Sequence, residues 1–180
     1  MLKTFKYKLY PTKAQRQQMH DTLFACSLVY NHCLAQRKEA WEKEQRSITC
    51  YDQIKQLPAL KKEDERYQSV YSQVLQDAVG RADKAFQNFF RRVRRDEKPG
   101  YPRFRSARRY DSFTYPQSGF KLGKKLTLSK IGDVRMKLHR PIEGTIKTLT
   151  IHRQADGWFV PIFDRDRIPT ISTDRRICWY

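Results

Sequence analysis

The sequence predicts an α+β fold: a small antiparallel β-barrel begun by one N-terminal strand, interrupted by a helical insertion, and then completed. Three observations carry this. The opening residues, MLKTFKYKLY, alternate apolar and basic side chains and have no second strand near them in the chain. From about residue 13 into the nineties, apolar side chains recur at helical spacing. After Ser112, short β-rich runs follow one another with glycines between them. A lone strand is unstable, so the first one must join the later sheet. The boundaries expected are 1–10 for the first strand, 11–97 for the helical insertion and 98–164 for the rest of the barrel, with 165–180 as a tail.

Each element has its own warrant. Phe5, Tyr7 and Leu9 alternate with Lys6 and Lys8, giving a strand with one buried and one basic face. Thr12 followed by Gln15 fits a capping box, which starts a helix near Lys13. Its stripe is Met19, Leu23, Cys26, Tyr30 and Cys33, and the helix should reach the low forties, through Trp41. A break near Ser47 precedes a short helix with Tyr51, Ile54 and Leu57, expected to end at Pro58. The run KKEDER reads as a charged loop into a third helix from about Val70. On that helix Leu75, Ala78, Ala82, Phe86, Phe89 and Val93 share one face. Further on, SFTYP, GFKL, KLTLS, DVRMKLH, TIKTLTIHR and GWFVPIF read as strands, with QADG as a hairpin turn.

Charge points to the partner. Lys plus Arg number 37 and Asp plus Glu 19, a formal net charge of +18 with a pI near 10.0. So basic a chain repels itself unless a polyanion is near, and nucleic acid is the first candidate. No apolar run is long enough for a transmembrane helix, and the N-terminus lacks the apolar block of a signal peptide. Cys26, Cys33, Cys50 and Cys178 lack CxxC spacing, so neither a zinc site nor a disulfide framework is expected, and a reducing cytoplasm is the expected location.

The densest basic stretch runs from Lys84 to Phe113, KAFQNFFRRVRRDEKPGYPRFRSARRYDSF. Arg81, Lys84, Arg91 and Arg95 fall opposite the apolar face of the third helix, so that face should contact phosphates. The prolines and Gly100 then force an extended run. There Arg103, Arg105, Arg108 and Arg109 interleave with Tyr101, Phe104 and Tyr110, a pattern suited to tracking a nucleic-acid backbone. Phe104 is expected in the core and the arginines at the ligand.

No catalytic constellation stands out. His20, His32, His139 and His152 lack metal-ligand spacing, no Gly-rich phosphate loop occurs, and the Asp164–Asp166 pair lies among arginines. No cofactor, no metal and no catalytic residue is expected.

The pieces YKLYPTKAQ, VYNHCLAQRKEAW, LQDAVGRADKAFQNFFRR, GYPRFRS and LHRPIEGTIKTLTIHR stand in the order found in the N-terminal half of TnpB, also called OrfB. Over residues 1 to about 163 the chain resembles that family of transposon-encoded RNA-guided nucleases, which are related to type V CRISPR effectors. The resemblance implies a wedge-type, OB-like barrel split by a helical recognition insertion. It implies RNA (the guide scaffold from the transposon end) and duplex DNA bearing a short flanking motif as partners. Motif reading would fall on Tyr51, Lys55, Ser72, Gln73, Gln76, Tyr115 and Gln117. Glutamine suits adenine edges and lysine guanine edges.

The family continues into a RuvC-like nuclease domain opening on a strand of the form G-I-D-x-G. Here the chain reads RIPTISTDRRICWY, a divergent tail without that element. The expectation is therefore a nucleic-acid-binding module without nuclease activity of its own. Two alternatives stay open: one piece of a split or incomplete RNA-guided endonuclease, or a non-functional transposon remnant.

Overall fold

The computed structural model describes residues 3–139 and 146–164. The RPIEGT part of the LHRPIEGTIK segment, Asp166, Cys178 and the rest of the tail lie outside the described residues.

The α+β class holds. β1 (Lys3–Tyr10) is followed by four helices, α1 (Lys13–Glu44), α2 (Cys50–Glu63), α3 (Glu65–Gln68) and α4 (Ser72–Arg94). Six strands then complete the sheet: β2 (Ser112–Tyr115), β3 (Phe120–Leu122), β4 (Lys125–Leu128), β5 (Gly132–Met136), β6 (Leu149–Gln154) and β7 (Gly157–Asp164). Strand order is β2-β6-β7-β1-β5-β4-β3, with every pairing antiparallel. The first strand is thus the middle one. It pairs along its length with β7, Leu9 opposite Trp158 and Phe5 opposite Ile162, and at its end with β5.

Barrel closure by hydrogen bonds is not seen among the described residues, because β2 and β3 remain the two ends of the ladder. Side chains span the opening instead. The Tyr115 ring meets Phe120 edge-on at 6.4 Å, and its hydroxyl donates to the Ser129 carbonyl at 2.9 Å.

The helices pack on this sheet for reasons visible locally. Thr12 and Gln15 form the capping box, and Gln15 Nε2 also donates to the Asp133 carbonyl at 2.8 Å, tying the start of α1 to β5. The stripe Met19, Leu23, Cys26, Tyr30 and Cys33 is buried throughout. Burial pushes the Cys26 and Cys33 thiols up to about 12, so they stay protonated at neutral pH.

Three expectations for the helices fail. Pro58 does not end α2, which continues to Glu63 with the proline inside it. A proline there forgoes one backbone bond. The Thr49–Asp52 capping box and the buried Gln53 and Leu57 hold the helix up to that point, and beyond it Leu60 packs on the core and Lys61 Nζ donates to the Val70 carbonyl at 2.8 Å. The run KKEDER is accordingly mostly helical, broken only at Asp64, while the last long helix begins at Ser72, close to the expected start about Val70. Val93 is also exposed and Phe89 only half-buried. The apolar stripe of α4 runs past the body it packs on, so its last two turns reach solvent.

That overshoot sets the first prediction. Leu75→Ala, in the fully buried part of α4, is expected to cost about 3 kcal/mol. Val93→Ala, on the same stripe, should stay within about 0.5 kcal/mol of the parent in urea unfolding.

Candidate nucleic-acid interface

The basic segment after α4 runs back along the helix and is tethered. Asn31 of α1 clasps Arg105, donating to its carbonyl at 2.8 Å and accepting from its N–H at 2.9 Å. Arg153 of β6 donates to the Arg108 carbonyl at 2.9 Å. Tyr101 packs edge-on against Phe86 and Phe89, with ring centres 5.8 and 5.4 Å away. Between this segment and α4 lies a groove of about 450 Å³. Arg92, Arg103, Arg105 and Arg109 line it, with Tyr30, Asn88, Phe89 and Phe104, and no acidic residue does. None of the four arginines has an ion pair among the described residues. Four cations without ion pairs among the described residues give this groove a concentrated positive charge, the chemistry that attracts phosphate.

The expected phosphate residues divide. Arg103 and Arg105 line the groove, and Lys84, Arg91 and Arg108 are exposed on the same part of the molecule's sequence. Arg95 is exposed with Glu97 at 3.9 Å. Arg81 is a correction. Its Nε pairs with Asp77 at 2.7 Å, its Nη1 donates to the Ser112 carbonyl and hydroxyl at 2.8 and 3.2 Å, and its Nη2 donates to Thr114 Oγ1 at 2.8 Å. With four of its five N–H groups used, it bolts α4 to β2 and has little left for phosphate. Phe104 is also corrected: it is 62% exposed at the groove mouth, while Tyr110 takes the core position. Arg92 was not singled out as a ligand because only the return of the 100–109 segment along α4 shows which flank of the helix faces a groove.

The expected motif readers divide too. Tyr51 is exposed with Lys55 Nζ 4.4 Å from its ring centre. Gln76 and Gln117 are exposed. Gln73 Oε1 accepts from the Ser118 N–H and hydroxyl at 3.2 and 3.1 Å, which brings the start of α4 against the 116–119 turn. Ser72 Oγ accepts from Lys61 Nζ at 3.0 Å. Tyr115 is a correction: at 1% exposure, stacked on Tyr71 and bonded to Ser129, it cannot touch a base edge. Alternation along β2 places it on the inner face.

A second basic hollow, about 440 Å³, lies between the start of α1 and the β6–β7 turn. Lys8, Arg16, His20 and Arg153 line it with Asp156, which pairs with Lys8 at 3.7 Å, and the lining comes from two segments, 8–20 and 153–158, that no sequence signal unites. His20 packs edge-on to Trp158 at 5.2 Å, with Arg153 Nη1 3.4 Å from its Nδ1. Burial, then Arg153 and Arg16, hold His20 below the ordinary histidine value. Burial does the same for His152, reinforced by Arg81 and Lys6.

Three comparisons bear on this surface. Residues 1–46 match the OrfB–IS605 family described as a helix-turn-helix domain. Over those residues the structure has β1 and one unbroken helix; α1 contains no Gly or Pro and the next helix starts only at Cys50. The chain is 29% identical over 174 residues to "Putative RNA-guided DNA endonuclease InsQ" of Escherichia coli strain K12, covering 94% of this chain. It is 33% identical over 174 residues to "Putative RNA-guided DNA endonuclease" of Streptomyces pristinaespiralis, covering 92% of this chain. The chain spans 42% of the length of each of these relatives.

Arg81→Met is expected to lower stability by roughly 2 kcal/mol, because Asp77 loses its counter-charge, and to leave the salt dependence of nucleic-acid binding unchanged. Acidification should destabilise the fold. In the unfolded chain both histidines bind protons near pH 6.5, whereas the fold holds His20 and His152 below that value. The unfolded state therefore binds more protons, and stability falls as pH drops through about 6.5 towards the folded values. His20→Gln with His152→Gln should flatten that slope in unfolding curves between about pH 7 and 5.

Proposed function

We propose that this chain, which matches the N-terminal part of the TnpB/OrfB family, is a nucleic-acid-binding module of a transposon-associated protein that holds a structured guide RNA. The observation that carries this is the arginine groove: Arg92 on α4 and Arg103, Arg105 and Arg109 on a segment tethered to α1 and β6, four cations without acidic partners among the described residues. Exposed Lys84, Arg91, Arg95 and Arg108 extend the charge beyond the groove. Duplex DNA is the second partner. Tyr51, Lys55, Gln73, Gln76 and Gln117 remain the residues proposed to read a short flanking motif, with Ser72 beside them. The sheet is held by antiparallel pairing and the basic segment by the Asn31 and Arg153 bonds, which suits register on a duplex better than untethered loop contacts would.

Nuclease activity is not assigned to these 180 residues. They contain no G-I-D strand that would bring a first carboxylate to a two-metal centre. A second reading, one piece of a split nuclease, is favoured by a single fact: relatives named as endonucleases are more than twice as long, this chain spanning 42% of them.

The experiment is expression with native flanking DNA, purification in moderate salt, and sequencing of the RNA that comes with the protein. A discrete RNA from the transposon end is expected. Heterogeneous RNA that washes off with salt would reduce the site to a general polyanion binder. On purified RNA, binding should weaken with a log–log salt slope of about −0.7 to −0.9 per phosphate contacted. Replacing Arg92, Arg103, Arg105 and Arg109 with Gln should make that slope shallower by about three units. An unchanged slope would place the phosphates elsewhere.

A further inference from the structure

A third hollow adjoins the arginine groove, sharing Phe89 as a wall. Its volume is about 330 Å³, within the range of about 300–1,000 Å³ typical of ligand sites. Trp41 of α1, Phe86, Phe89 and Phe90 of α4, and Tyr101 make its walls. Trp41, Phe90 and Tyr101 are 57, 54 and 47% exposed. Large aromatic side chains this exposed and this close together are unusual on a surface unless something covers them.

The rings are held, not loose. Phe90 stands edge-on to Phe89 at 5.2 Å, and Tyr101 edge-on to both Phe86 and Phe89. The backbone under Trp41 is fixed where α1 ends: its carbonyl accepts from the Gln45 N–H at 3.1 Å and side-chain amide at 2.8 Å.

The cations that line the hollow are paired, and the unpaired ones lie beside it. Arg37 and Arg46 reach its rim, but Arg37 pairs with Asp83 at 2.7 Å and Arg46 with Glu44 at 2.9 Å. The unpaired arginines are next door, across Phe89. An aromatic, apolar hollow joined to a polycationic groove complements one kind of ligand: a flat ring carrying phosphate on both sides. A protein partner would have to bring an acidic strip in register with an apolar knob, and a lipid surface would need apolar residues projecting together, whereas these rings line a hollow.

We infer that this hollow stacks an unpaired base of a single-stranded segment whose phosphates lie in the arginine groove. This deepens the reading of the chain as a nucleic-acid-binding module and rests on it. Stacking requires no particular base, so the slot would grip an unpaired junction nucleotide by its ring and leave duplex, whose bases are already stacked, to the phosphate contacts alone.

The test uses a labelled 12-mer of uridine and a 12-base-pair RNA duplex, with fold checked by thermal melting. Trp41→Ala with Phe90→Ala should weaken single-strand binding by about tenfold or more and leave duplex affinity and both salt slopes unchanged. Because both side chains are exposed, the variant is expected to fold. Independently, the single strand should quench tryptophan emission in the parent, and Trp41→Phe should remove that quench while keeping affinity within about threefold. Single-strand affinity that is unchanged in the double variant, or lost equally for duplex, overturns the stacking slot while the arginine groove stands. A parent protein that binds neither RNA overturns the nucleic-acid reading and the slot with it.

Discussion

The pairing of β1 with strands from the far end of the chain is the constraint on which the rest depends. Lys3–Tyr10 lies between β7 and β5, so the first residues of the chain can fold only when residues 132–164 are in place. Everything between, the whole helical insertion, is a loop closed by that strand. α1 leaves β1 after two residues, and Gln15 fastens it to β5 again. The insertion therefore has a fixed direction relative to the sheet. The cost of closing so long a loop grows only slowly with its length, and the buried Tyr7 and Leu9 offset it on the sheet's inner face.

Arginine does several jobs here, and the surroundings of each decide which. Arg81 faces Asp77 and the hydroxyl and carbonyl groups of β2, so its guanidinium becomes a cross-link. Arg37 spends its fork on Gln53 and Asp83, holding α2 and α4 to α1. Arg153 spends its own on backbone carbonyls and thereby positions other arginines. Arg92, Arg103, Arg105 and Arg109 meet no acid among the described residues. In a chain of net charge +18, acids are too few to pair every cation. The fold decides which cations are left over, and gathers four of them in one groove.

Much of this was legible in residue order. Period-two alternation marks β1, period 3.6 marks α1 and the first turns of α4, the Thr12–Gln15 box marks where α1 starts, and Gln154–Gly157 closes the β6–β7 hairpin. The misreadings share a cause. Pro58 looked like a stop because its missing N–H is a local fact, while the neighbouring turns that carry the helix past it are held by tertiary contacts. Phe104 looked like core because it is apolar, and Arg81 like a ligand because it is charged. Each assignment depends on what stands opposite the side chain, and the residues opposite lie far away in sequence.

The sequence by itself determined the elements, the excess of positive charge and where that charge is dense, because periodicity, capping and composition act over a few residues. The tertiary structure decided which arginines are cross-links and which are free, which aromatics are core and which stand exposed around a hollow, and that Tyr115 faces inward while Gln117 faces out. Those outcomes require segments as distant as Asn31 and Arg105, or Arg81 and Ser112, to meet. A side chain's role is set by its neighbours' charge and by water access, and both come into being only when the chain has folded back on itself.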